Sequence, residues 1–122
     1  MVIKNLYTYQ VSSREENRLE AILRIDSQHP LFKGHFPGFA ITPGVCQLLM
    51  IREILEEELD MPLMLASARQ VKFIAVHEPE TEPEIGASIS FSRKGDQLEV
   101  NANLSSNEKV YLKLRGEFNR QR

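Results

Sequence analysis

Tryptophan is absent from the 122 residues, and cysteine occurs once, at Cys46. A single thiol excludes an internal disulfide and is too little for a cysteine-based metal cluster, so a packed core has to hold the fold. Cys46 is expected to be a small buried hydrophobe, the usual state of a free cysteine. Charge of one sign is also lacking: 15 Lys and Arg against 17 Asp and Glu leave a net charge of -2. Without a basic excess, no nucleic-acid partner is expected. Charge interrupts every apolar stretch well before the ~20 residues that cross a bilayer, so no membrane insertion is expected. The opening Met1-Val2-Ile3-Lys4-Asn5 lacks the basic region, apolar core and small-residue cleavage site of a secretory leader, and a cytoplasmic protein is expected. No internal repeat or low-complexity run is present, which excludes a solenoid.

What remains is one ordinary globular domain, 1–122, with 42% hydrophobic and 26% charged residues. Leu6 to Val11 is strand-like, and Arg18 to Ile25 alternates with period two, placing Leu19, Ala21, Leu23 and Ile25 on one side. Asp26 to Pro43 carries three prolines, two glycines and two histidines, and is too interrupted for regular structure. Thr42 as N-cap and Pro43 at the first helical position then open a helix from about Pro43 to Leu59. Its first half is apolar nearly all round and should be buried, with Glu56, Glu57 and Glu58 as a solvated end opposing the macrodipole. A β-like run, Leu63 to Val76, precedes a polar, Pro-rich turn over Glu78 to Glu84. Three alternating segments follow, Ala87 to Arg93, Gln97 to Leu104 and Lys109 to Phe118, and read as an antiparallel meander. The expectation is α+β, with a sheet of five to seven strands wrapped around one central apolar helix.

The chemistry is concentrated in His29-Pro30-Leu31-Phe32-Lys33-Gly34-His35-Phe36-Pro37-Gly38, followed by Phe39-Ala40-Ile41-Thr42-Pro43-Gly44-Val45. This segment resembles the active-site motif of the 3-hydroxyacyl-acyl-carrier-protein dehydratases, in which Gly-His-Phe-Pro-Gly leads through Pro-Gly-Val into the central helix. The resemblance is strongest over residues 29 to 55 and implies a hot-dog fold. It also implies His35 as the base that takes the α-proton of an acyl thioester, a task that an unperturbed pKa near ~6.5 suits. The Gly44 amide is implied as the donor that polarises the thioester carbonyl, helped by the positive helix end. Phe36, Gly44, Val45 and Leu49 are the implied substrate-contacting residues. No metal or organic cofactor is implied; His29 is read as part of the strand-to-loop corner and His77 as a surface or turn residue.

One position departs from that family. The dehydratases carry a Glu or Asp fourteen residues after the histidine as general acid, and here that position is Leu49. A missing acid typically costs about 10²–10⁴-fold in rate. Glu53, one turn further along the same helix face, is the candidate replacement; its alternative role is to pair with a basic residue. Gln47 points elsewhere on the helix and can orient a hydroxyl but not protonate it. In the family the histidine and acid come from opposite subunits, so a carboxylate from a related partner chain is a third option. The expected activity is dehydration of a 3-hydroxyacyl thioester on acyl carrier protein or coenzyme A, by a homodimer, a higher homo-oligomer or a heterodimer with a related dehydratase. A catalytically incomplete acyl-binding subunit and a hot-dog thioesterase are the alternatives.

Overall fold

A computed structural model describes residues 4–33, 40–107 and 109–121. In chain order its elements are β1 (Tyr7–Glu15), β2 (Arg18–Ile25), a short 3-10 turn (Pro30–Lys33), α1 (Gly44–Leu59), β3 (Leu63–Phe73), β4 (Glu84–Lys94), β5 (Gln97–Ser105) and β6 (Val110–Arg120). The described strands form one six-stranded antiparallel sheet in the order β1-β2-β4-β5-β6-β3. The long connection through α1 separates β2 from β3, which lies at the far edge beside β6.

Period-two alternation decides which sheet face is covered. Leu19, Ala21, Leu23 and Ile25 of β2, Ile85, Ala87, Ile89 and Phe91 of β4, and Leu98, Val100, Ala102 and Leu104 of β5 are all buried on the concave side. Onto them α1 lays Gln47, Met50, Ile51, Ile54 and Leu55, a stripe at helical spacing. The buried apolar side chains form one contiguous core. Cys46 belongs to it, and burial pushes its thiol pKa up, which makes it a poor nucleophile.

Two local expectations change. Pro43, not Thr42, is the N-cap, and no side chain caps the helix; the Thr42 hydroxyl is committed elsewhere. The acidic run at the helix end is more than a solvated face. Glu56 accepts the Leu63 amide at 2.8 Å, and Glu58 is held by Arg14 and by the Tyr9 hydroxyl. These donors offset the unfavourable placement of acids at a helix C-terminus.

Candidate active site

The site is organised around the N-terminal tip of α1. Pro43 can supply no side-chain oxygen, and its carbonyl accepts the amides of Cys46 and Gln47 at 3.1 and 3.2 Å. The amides of Gly44 and Val45 donate to no other described residue, so among the described residues the tip has two donors without an acceptor. Gly44 is glycine for a spatial reason. A Cβ there would lie 2.6 Å from Cε1 of Phe73, whose ring rests on the tip from the end of β3. Val45 is 62% exposed, so its side chain flanks the tip rather than the core.

The leader into this tip is fastened from the side by the segment after β3. The amide of Thr42 donates to the carbonyl of His77 at 2.9 Å, and the Thr42 hydroxyl meets Nδ1 of the same histidine at 2.8 Å. Nε2 of His77 lies 2.7 Å from the Glu82 carbonyl, which can only accept. The ring is therefore the Nε2–H tautomer, with Nδ1 accepting from Thr42. His77 has 0% exposure, so of its two readings, surface or turn residue, the surface one is wrong. Burial holds its pKa below the ordinary histidine value, partly opposed by its bond to the Glu82 backbone and by the nearby carboxylates of Glu82 and Glu78. A run of acids and prolines around a histidine reads as solvent-exposed, and nothing in one sequence shows that a threonine 35 positions earlier will close over it. His29 does sit at a loop corner, where Nε2 reaches the Lys4 carbonyl at 2.8 Å and Nδ1 accepts the Leu31 amide at 3.0 Å.

His35 and Phe36 lie outside the described residues. Leu49 is half-buried on α1, five residues beyond Gly44. Glu53 lies further down the helix, about 14 Å from the tip at 1.5 Å per residue. Its carboxylate accepts the Tyr7 hydroxyl at 3.1 Å and borders an open hollow of about 330 Å³ shared with Tyr9, Glu56, Glu57, Asp60, Met61 and Pro62. Burial and the neighbouring carboxylate push the Tyr7 pKa well up, so this phenol remains a donor. The sequence gives no cue to this partnership, because Tyr7 and Glu53 are 46 positions apart.

A sheet of this order curled about a single helix is the hot-dog fold. The family model for ApeI-like proteins, described as ApeI dehydratase, matches residues 11–113, and the chain belongs to that family. No sequence among curated proteins matches it. Of the solved structures, the dehydratase heterocomplex ApeI:P from Xenorhabdus doucetiae aligns with a TM-score of 0.68 at 20% identity, covering 93% of this chain and 99% of that one. A Bacillus halodurans protein solved with CoA aligns at 0.62 and 12% identity, over 93% and 74% of the two chains. A candidate thioesterase from Syntrophus aciditrophicus aligns at 0.54 and 15% identity, over 98% and 87%. At these identities the structural matches establish the fold.

Proposed function

We propose that the protein dehydrates 3-hydroxyacyl thioesters, carried on acyl carrier protein or coenzyme A, to trans-2-enoyl thioesters. The observation that carries this reading is the helix tip, where two amides donate to no other described residue, in a chain of the ApeI-like dehydratase family whose sequence carries Gly-His-Phe-Pro-Gly shortly before it. In this reading His35 removes a proton from C2. The electron pair moves onto the thioester carbonyl, and the growing negative charge on oxygen is met by the Gly44 amide at the positive end of α1. Collapse of this enolate-like state forms the C2=C3 bond and breaks the C3–O bond, and the departing hydroxide takes a proton to leave as water. The acyl chain occupies a channel between two subunits.

The proton comes from Glu53 or from a carboxylate of a second chain. Two observations favour the second source: Leu49 stands at the family's acid position, and Glu53 is already engaged by Tyr7. The heteromeric assembly of the Xenorhabdus relative supports the same reading, with this chain as the histidine-bearing half of a pair. A carrier protein, acidic on its surface, would meet cations on the outer sheet face, where Lys72 and Lys113 stand opposite each other.

The test is hydration of an enoyl thioester, followed by loss of absorbance, for wild type, His35→Ala and Glu53→Gln, each alone and with a family partner chain. Activity lost in His35→Ala supports the dehydratase. Glu53→Gln at wild-type rate assigns the acid to the partner. No activity in any combination overturns the reading and leaves an acyl-binding subunit.

A further inference from the structure

The geometry points to His77 as a positioning residue that, through Thr42, sets where the Gly44 amide points; this rests on the role given to that amide above. The leader of α1 has little of its own to fix it. Pro43 offers no cap, and Gly44 adds no side chain to anchor the turn. Orientation is instead imposed by a pair of bonds between two residues. Thr42 N–H donates to the His77 carbonyl, and the Thr42 hydroxyl donates to Nδ1 of the same residue. Two bonds to one partner fix direction as well as distance, and Thr42 is two residues from the amide in question.

The ring is itself fixed. Nε2–H is held by the Glu82 carbonyl, and the edge of Tyr111 packs against the imidazole with centroids 5.0 Å apart at 73°. Tyr111 in turn is tethered through its hydroxyl to the Glu82 carboxylate and to Ser106 at 3.0 Å. The chain of contacts thus runs from β6 through Glu82 and His77 to the helix tip. From the helix side, Gln47 Nε2 donates to the Thr42 carbonyl at 3.2 Å, so the leader is gripped from both directions. Thr42, Gln47 and His77 are the buried polar residues of the described chain, and they form this one cluster. Burying such groups is costly unless each makes its bonds, and Gln47 Oε1 finds no partner among the described residues, so an apolar trio would fill the space at less cost. What the polar trio adds is direction. A misplacement of about 1 Å in a reacting geometry can cost on the order of 10²-fold in rate, so the effect belongs in kcat.

The experiment reads the tip directly, in the full-length chain labelled with nitrogen-15. Thr42→Val removes the hydroxyl at constant shape. His77→Gln keeps a donor for the Glu82 carbonyl but removes the ring nitrogen that accepts the Thr42 hydroxyl, and serves independently should either variant fold poorly. Both are expected to move the Gly44 amide resonance and to raise the hydrogen-exchange rate of the Thr42 amide, which donates to the His77 carbonyl, about tenfold, with amides of β4 and β5 within about twofold of wild type. Thr42→Ser is expected to restore the wild-type signal, and the double variant to be no worse than either single one. In the enoyl-hydration assay kcat falls about tenfold with KM within about twofold. An unmoved Gly44 amide in a folded Thr42→Val protein overturns the positioning role whatever the activity. A moved amide with unchanged kcat overturns its relevance to the reaction. Wild type inert toward thioesters, alone and with a partner, but with a moved amide in the variants, refutes the dehydratase reading and leaves the positioning role standing.

Discussion

At the His77 imidazole, burial and charge pull in opposite directions, and burial dominates: the ring is neutral in the fold and its pKa is depressed. In the unfolded chain the same ring titrates near ~6.5. Between the depressed value and ~6.5 the unfolded chain binds the extra proton. Its contribution to stability is therefore complete above pH ~6.5 and is lost as pH falls toward the folded pKa, at up to about 1.4 kcal/mol per pH unit. Glu82, which accepts from Tyr111 and Ser106, is shifted below the ordinary carboxylate range, so its own loss falls in a separate, more acid window. Urea unfolding at pH 7.5 and 5.5 should show wild type losing stability over that interval and His77→Gln losing less. Equal losses would contradict the assignment. Gly44 gives a second residue-scale expectation. An added Cβ meets the Phe73 ring, but that ring is 53% exposed and can swing away. Gly44→Ala should then cost at most about 1 kcal/mol of stability while lowering enoyl hydration about tenfold or more by crowding the donor. A variant that keeps full activity would detach Gly44 from the reaction.

Among the elements, β3 is where sequence and structure diverge most, and the reason is physical. In β2, β4 and β5 one face is buried, so apolar residues recur at every second position and the strands can be read directly. β3 is an edge strand, largely exposed from Met64 to Arg69, and its pairing with β6 shifts register between Leu65 and Ser67 and again between Ala68 and Gln70. Two bulges erase the alternation that would have announced them. The strand also ends at Phe73, short of the apolar run to Val76, with one further bond from the Ile74 amide to the Tyr111 carbonyl at 3.0 Å. α1 was legible nearly to the residue, since its apolar stripe, Pro43 and Gly44 are local signals. Its fastening through Thr42 and His77 was not, since that depends on a contact 35 positions away. Opposite the bulges, Gly116 leaves no room for a side chain: a Cβ would sit 2.6 Å from the Ser67 carbonyl oxygen and 3.3 Å from the Ala68 Cα. Backbone cannot rotate aside as the Phe73 ring can. Gly116→Ala should destabilise by about 1–3 kcal/mol and loosen β3 first, seen as faster amide exchange there than in β4. An unchanged melting temperature would contradict it.

For the whole molecule, most of the exposed large apolar side chains gather at one of the sheet's two edges, β3, with Ile22 on β2 apart from them. Met64, Leu65, Phe73, Ile74 and Val76 are exposed in and just after β3, and Val45 is exposed at the helix tip beside Phe73. An uncovered strand edge flanked by apolar side chains is normally paired, covered or blunted with charge. Antiparallel pairing of β3 with β3 of a second copy is self-complementary about a two-fold axis, and it would enclose Val45 and Phe73, the walls of the tip, within the pair. A second copy of the chain is therefore the expected occupant when no partner chain is present; it would close the walls of the tip but, carrying the same Leu49, would not supply the acid, which the partner of the proposed pair brings. Sedimentation should give twice the monomer mass for wild type. Ile74→Glu, which buries a charge in that contact, should shift the equilibrium toward monomer by about 2 kcal/mol or more while the isolated domain keeps its strand signature. A wild-type protein that sediments as monomer until a family partner chain is added would transfer this edge to the heteromeric pair. A variant that associates as tightly as wild type would place the interface elsewhere.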